Sequence, residues 1–203
     1  MKVERILVAT TNGGKECEIR AMLAELGVEV VGLAAFPWVP EHEEIGETFA
    51  ENAAGKAIFY HRITGLPTLG DDSGLMVDLL DGGPGVHSAR FVGPGGTDAG
   101  RIRGLLAAMR RAGGAPRTAR FVCSLAFAAE GRIALAVEGV CEGEIAESPR
   151  GAHGFGFDPV FVVPSLGKTF AELLPDEKNA VSHRARALSA FKSQFRQLLS
   201  PRP

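Results

Sequence analysis

The chain has 203 residues, 45% of them hydrophobic, and a formal net charge of −2. That length suffices for one large domain with a sizeable core. The near-neutral balance supplies no broad basic field for a nucleic-acid polymer, although a small anion needs only a local cluster of cations.

Cys17, Cys123 and Cys141 are odd in number and far apart, which indicates neither a disulfide framework nor a zinc site. Cys17 reads as a quiet core thiol. The first apolar run, Ile6-Leu7-Val8-Ala9, is too short for a signal peptide or a membrane span, so a soluble, cytoplasmic protein is expected. The same run predicts a buried strand. It enters Thr10-Thr11-Asn12-Gly13-Gly14-Lys15, after which Ile19, Met22, Leu23 and Leu26 recur at helical spacing and Gly27 supplies a stop. A strand, a glycine loop with hydroxyls and a lysine, and a helix start together aim backbone N–H groups at one place, which suits an anion. A capped, solvated helix start is the competing reading, and the GxxxxGK[ST] pattern is absent.

Val28 to Leu33 predicts a second strand, followed by the rigid loop Phe36-Pro37-Trp38-Val39-Pro40. The run from Glu41 to Glu47 is strongly acidic: a solvated loop, or a set of hard oxygen ligands for a divalent cation. Thr48-x-x-Glu51 matches a capping box. The helix it starts carries Phe49, Ala53, Ala57, Tyr60 and Ile63 inward, has Lys56 as a mid-helix surface charge, and ends at Gly65 and Pro67.

Gly70-Asp71-Asp72-Ser73-Gly74 sets two carboxylates side by side between glycines. An ordinary turn is one reading; a site that compensates the charges with a cation is the other. If the stretch is extended, the aspartates point to opposite sides and only one of them touches a metal. A structured Gly/Pro loop from Asp81 to Phe91 follows. A helix from Thr97 to Arg111 then buries Ile102, Leu105, Leu106 and Met109. Thr118–Ala129 and Arg132–Cys141 flank Glu130-Gly131 as a hairpin, both apolar enough to be covered on two faces, and Val140–Ala146 extends the sheet with Gly143 as a possible bulge.

Arg150 to Pro159 interleaves glycine with aromatics, offering flat faces for a base, with core anchoring as the alternative. Val160–Val163 predicts a strand and Thr169-x-x-Glu172 a second capping box. From Pro175 a helix runs on with Leu188, Phe191, Phe195, Leu198 and Leu199 inward. Lys178, Ser182, His183 and Arg184 concentrate hydrogen-bond donors, which favours a ligand with several acceptors. No linker divides the chain, so one domain over 1–203 is expected, with 200–203 as a tail.

Several motifs occur in a fixed order: Thr10-Thr11-Asn12-x-Gly14-Lys15, Thr48-Phe49-x-Glu51-Asn52-Ala53-x-x-Lys56-Ala57, Asp71-Asp72-Ser73-Gly74-Leu75 and Pro84-Gly85-x-x-Ser88-Ala89-Arg90. Gly154-Phe155-Gly156-Phe157-Asp158-Pro159, Ala171-Glu172-Leu173 and Lys178-x-x-x-Ser182-His183-Arg184 complete the set. Each motif is weak alone; the ordered set closely resembles the inosine triphosphate pyrophosphatase family, the non-standard purine NTP pyrophosphatases, from Ile6 to about Leu188. The resemblance implies an α/β fold with an elongated, curved, mixed β-sheet, flanking helices and two lobes around a central nucleotide cleft. It also implies a homodimer, Mg²⁺ dependence, and hydrolysis of ITP, dITP and XTP to the monophosphate and pyrophosphate.

Carried over motif by motif, Thr10, Thr11, Asn12, Gly13, Gly14 and Lys15 hold the phosphates with Lys56 close by. Asp72 is metal ligand and general base, with Ser73 beside it on the substrate, and Glu43 is the second metal ligand. Phe155, Gly156, Phe157, Asp158, Lys178, His183 and Arg184 line the base and sugar pocket. Two departures stand out: Thr11 where the family has a small residue, and Phe157 where tyrosine or tryptophan is common. A hydrolase for pyrimidine or other modified nucleotides, and a nucleotide-binding regulator without turnover, are the alternatives. The aspartates, glutamates and lysines exceed what mere binding needs. A Ser73/His183 hydrolase lacks the GxSxG elbow.

Overall fold

The computed structural model describes residues 3–93 and 95–199; the expected tail at 200–203 lies outside the described residues. The chain contributes interleaved segments to two compact units. One comprises residues 3–72, 123–139 and 184–199, the other 73–93, 95–122 and 140–183.

Strands β1 (Arg5–Ala9), β2 (Glu29–Gly32), β3 (Thr68–Val77), β4 (Thr118–Ala129), β5 (Arg132–Ile145), β6 (Phe161–Val163) and β7 (Lys168–Thr169) form one open sheet in the order β2-β1-β3-β4-β5-β6-β7. The sheet is mixed: β1 pairs in parallel with β2 and β3, whereas β5–β6 and β6–β7 are antiparallel. The helices are α1 (Gly13–Leu23), α2 (Phe49–Thr64), α3 (Asp98–Arg111), α4 (Pro175–Val181) and α5 (His183–Leu199). This is the α/β architecture expected from the sequence.

In the first unit, strand alternation sorts side chains onto two faces. Ile6, Val8, Leu69, Cys123, Leu125 and Phe127 pack with Ile19 and Leu23 of α1 and Leu188, Phe191 and Phe195 of α5. The intervening positions face α2: Leu7 and Ala9 meet Tyr60, and Ala126 and Ala128 meet Ala53 and Ala57. Helix α2 lies so close to β3 that a Cβ at Gly70 would come within 2.2 Å of the Ala53 carbonyl oxygen. Gly70 therefore serves close packing rather than a turn, and both aspartates sit within a strand. Lys56, expected on the surface, is 8% exposed, because its helical position faces that same strand.

The second unit packs Leu75 and Val77 against Ile102, Leu105, Leu106 and Met109 of α3, with Phe121, Phe157, Phe161 and Phe170 completing its core. Glu130 (φ 52°) and Gly131 (φ 76°) make the left-handed hairpin turn between β4 and β5. Strand β4 is buried on both faces, as expected; β5 instead alternates between buried and exposed positions from Glu138 onward, so one of its faces meets solvent. At Gly143 the reason for glycine is close approach, since a Cβ would lie 2.5 Å from the Phe161 ring and from the Val162 carbonyl oxygen.

The C-terminal helix expected as one piece is two. Ser182 adopts extended dihedrals (φ −69°, ψ 160°) and its N–H closes α4 on the Lys178 carbonyl at 2.9 Å. The helix restarts at His183. Cys17 also departs from expectation: it is exposed rather than part of the core.

Candidate active site

Alternation along β3 gives the two aspartates separate surroundings in the first unit. Asp71 is fully buried on the α1/α5 face. Arg184 Nε donates to its Oδ2 at 2.9 Å, Lys15 Nζ lies 2.7 Å from Oδ1, and the Cys123 thiol donates at 3.3 Å. Arg184 also donates to Glu18 at 2.6 Å. Burial by itself would raise the Asp71 pKa, but the charges of Arg184 and Lys15 override it and hold the carboxyl well below its ordinary 3.8. The same burial, with Asp71 alongside, pushes the Cys123 thiol well up, so it stays protonated.

Asp72, on the α2 face, accepts a hydrogen bond from Asn52 Nδ2 at 3.1 Å and lies 3.6 Å from Lys56 Nζ. Lys56 in turn bonds Glu44 at 2.7 Å. Burial raises the Asp72 pKa; Lys56 and Lys15 pull it down, Glu44 pushes it up again, and the balance leaves it above 3.8. Lys56 shows the converse: burial lowers its pKa, Asp72 and Glu44 raise it, and the net shift is upward, so the ammonium persists at neutral pH. A buried carboxylate held above its ordinary pKa is a better proton acceptor than an ion-paired one.

The loop before α1 is ordered by its own side chains. Thr10 Oγ1 accepts from Asn12 N–H at 3.2 Å, and Asn12 Oδ1 caps the helix by accepting from Lys15 N–H at 3.1 Å. Thr11, Asn12 and Gly13 are exposed, and Gly14 and Lys15 half-buried, so the helix start faces solvent while the Lys15 ammonium reaches back to Asp71.

The second unit assembles a different cluster. Asp158 Oδ2 accepts from Phe155 N–H at 2.9 Å and from Lys178 Nζ at 2.6 Å. The Lys178 ammonium sits 4.6 Å from the centre of the Phe155 ring, a cation–π contact. A Cβ at Gly154 (φ 75°) would lie 2.0 Å from Asp158 Oδ2, so both the backbone angle and the carboxylate demand glycine there. His183 stacks on Phe121 with ring centroids 4.6 Å apart. Gly156 N–H donates to Asp98 at 2.7 Å, tying the loop to α3.

Several sequence-derived site residues are thus gathered: Lys15, Lys56 and Asp72 in one unit, Phe155, Asp158 and Lys178 in the other. Ser73 is half-buried on β3 directly after Asp72. Phe157 is 3% exposed within the apolar core, so it anchors the loop, and Phe155 is the half-exposed ring. Arg184, expected among the base-pocket donors, has its guanidinium buried against Asp71 and Glu18. Glu43 is exposed; its neighbour Glu44 is the acid that reaches Lys56. Asn52, Glu18 and Asp98 were not singled out from sequence. Asn52 lies within Thr48-Phe49-x-Glu51-Asn52-Ala53, where a polar amide on the inward face of an amphipathic helix is its signal in the sequence.

The chemistry of these donors suits a hard divalent cation. Asp72 and a neighbouring loop of glutamates offer carboxylate oxygens, and such a cation is commonly held by one or two carboxylates, with substrate phosphates and water completing its shell. Among the described residues no three His, Cys, Asp or Glu side chains converge on one point.

Comparison with known proteins places the chain. A family model described as the Ham1 family matches residues 6–194. A curated protein of Geobacillus kaustophilus named dITP/XTP pyrophosphatase is 50% identical over 200 residues, covering 97% of each chain. The structure of a HAM1 protein from Coxiella burnetii superposes with a TM-score of 0.87 at 43% identity, covering 95% of this chain and 98% of the other. The crystal structure of a nucleoside-triphosphatase, dITP/XTP pyrophosphatase, from Mycobacterium abscessus is 44% identical with a TM-score of 0.73, covering 92% and 98%. With motifs, sheet order and full-length similarity in agreement, this chain belongs to the Ham1 family.

Proposed function

We propose that the protein hydrolyses non-standard purine nucleoside triphosphates (ITP, dITP and XTP) to the monophosphate and pyrophosphate, removing them from the nucleotide pool. The observation that carries the reading is Asp72: buried, above its ordinary pKa, and beside the Lys56 ammonium and a loop of glutamates. Relatives named dITP/XTP pyrophosphatase at up to 50% identity over nearly the whole chain support it.

In this reading water attacks the α-phosphorus and Asp72 takes its proton, a contribution of about 10²–10⁴-fold for a positioned base. The start of α1, Lys15 and Lys56 hold the phosphates and stabilise the charge that develops on the pyrophosphate leaving group. Mg²⁺, when bound, neutralises further phosphate charge. Asp72 and Glu43 would hold it; Glu44 is already engaged by Lys56.

Phe155 offers a face to the base, and Lys178, fixed by Asp158, donates toward a 6-carbonyl while disfavouring the 6-amino group of adenine. Guanine shares that carbonyl, so its exclusion acts at position 2. A cytoplasmic homodimer accompanies the proposal, resting on the family resemblance; no helix among the described residues is long and apolar enough to cross a membrane.

The test is pyrophosphate release with Mg²⁺ across ITP, XTP, dITP, GTP, ATP and dTTP. The 6-oxo substrates without a 2-amino group are expected to exceed ATP by about 10²-fold or more in kcat/KM. Equal turnover of GTP and ITP would sink the specificity, preference for dTTP would reassign the base pocket, and no turnover would make the protein a binder.

A further inference from the structure

One amide joins Asp72 to the acidic loop. Asn52 lies in the second turn of α2 and is 2% exposed, a position where asparagine has no propensity advantage and must earn its burial through hydrogen bonds. Its Oδ1 accepts from Gly46 N–H at 2.8 Å. That bond settles which way the amide faces, since only the oxygen can accept; the NH₂ group therefore turns to Asp72 Oδ2 at 3.1 Å, with the Gly46 carbonyl at 3.4 Å. Gly46 makes room for this: a Cβ there would lie 2.7 Å from Asn52 Oδ1 and 2.8 Å from Glu51 Cβ.

The other end of the loop is held on the same helix. The His42 ring stacks on Phe59 at 4.9 Å, and its backbone N–H donates to the Tyr60 hydroxyl at 3.1 Å. Gly55 leaves space for that ring, since a Cβ would lie 2.8 Å from His42 Nε2. Asn52, Gly55, Lys56, Phe59 and Tyr60 follow the spacing of a single helical face. Between the two attachments run Glu43 and Glu44.

We propose that Asn52 is a positioning residue for the reaction: by spanning Gly46 and Asp72 with one amide, it sets the separation between the Asp72 carboxylate and the glutamate-bearing loop and fixes the orientation of that carboxylate. The inference rests on the reading of Asp72 as proton acceptor and cation ligand. It assigns Asn52 no contact with substrate. Its chemistry is particular: one acceptor and one donor on a short, stiff side chain, which neither alanine nor aspartate supplies.

Two variants separate the halves of the clamp. Asn52→Asp keeps size and an acceptor for Gly46 N–H but turns an oxygen against Asp72; Asn52→Ala removes both bonds. Asn52→Asp is expected to lower kcat for ITP about 10–100-fold, the range for residues that orient a ligand-bearing group, with KM close to the parent's, when assayed well below its melting temperature, which the second buried carboxyl beside Asp72 lowers. Asn52→Ala is expected to weaken Mn²⁺ binding to the nucleotide-free protein, followed by electron paramagnetic resonance titration, by about 10–100-fold.

Parental kcat in Asn52→Asp overturns the proposal, as does a loss of activity that disappears at assay temperatures where circular dichroism shows the variant fully folded. Should Asn52→Ala fail to fold, Asn52→Asp decides alone. Asp72→Asn is measured alongside. If it is active, the reading of Asp72 itself fails; if it is inactive while Asn52→Asp is parental, only the positioning role fails.

Discussion

Asp71 and Asp72 are consecutive and buried on one strand, yet the two faces of that strand treat them in opposite ways. On the α1/α5 face Asp71 meets Arg184 and Lys15 at hydrogen-bonding distance, and its carboxyl is driven well below 3.8. On the α2 face Asp72 has an amide at 3.1 Å and an ammonium at 3.6 Å that is itself shared with Glu44, and its carboxyl stays above 3.8. Full neutralisation makes a carboxylate an anchor with little basicity. Partial neutralisation leaves one that gains from a proton or a cation. Thus Asp71 ties β3 to α1 and α5 through Lys15 and Arg184, while Asp72 keeps the basicity that the proposed reaction needs.

The sharpest way to break this comparison is to neutralise each acid in turn. Asp72→Asn is expected to cut kcat about 10²–10⁴-fold, the worth of a general base, without loss of stability, since burial already disfavours its charge; steady-state kinetics and a urea melt check both halves. Asp71→Asn is expected to do the reverse in emphasis. It leaves Arg184 buried with one of its carboxylates gone, a change that costs about 3–5 kcal/mol in chemical denaturation.

That stability gap is also expected to depend on pH. Because the folded pKa of Asp71 is depressed, its contribution is complete above the ordinary 3.8 and is lost as pH falls from there through the folded value. Melts at pH 7 and pH 5 should therefore show the full difference between parent and Asp71→Asn, and melts below about pH 4 a shrinking one. A constant gap across that range would show that the ion pairs are not its source.

Arg184→Lys gives a smaller effect on the same side. A lysine cannot donate to Asp71 and Glu18 through a planar fork, so about 1.5–3 kcal/mol is expected to be lost while kcat changes little. A large loss of kcat with stability retained would move Arg184 to the reacting side and merge the two roles.

Much of this was legible in the sequence, for reasons tied to particular residues. The inward faces of α3 and α5, the capping box at Thr48 and the hairpin at Glu130-Gly131 depend on neighbours within one or two turns, which a linear reading can count. Alternation along an extended stretch was enough to divide Asp71 from Asp72. Ser182 carried a local signal as well, serine being a favoured helix N-cap, but the continuous apolar spacing around it masked the break.

What depended on distant partners was not legible. Lys56 reads as a surface charge until β3 is laid against α2; Gly70 reads as a turn residue until the Ala53 carbonyl is seen beside it. Arg184 reads as a pocket donor until Asp71, 113 positions away, claims it.

By itself, then, the sequence determined the family and the order of the main elements, and it supplied the acids and bases proposed for the site, because these rest on residue type and short spacing. Which aspartate is anchored and which is left basic was decided only by tertiary structure. A pKa depends on burial and on the charges within a few ångströms, and those charges come from α1, α2 and α5 at once.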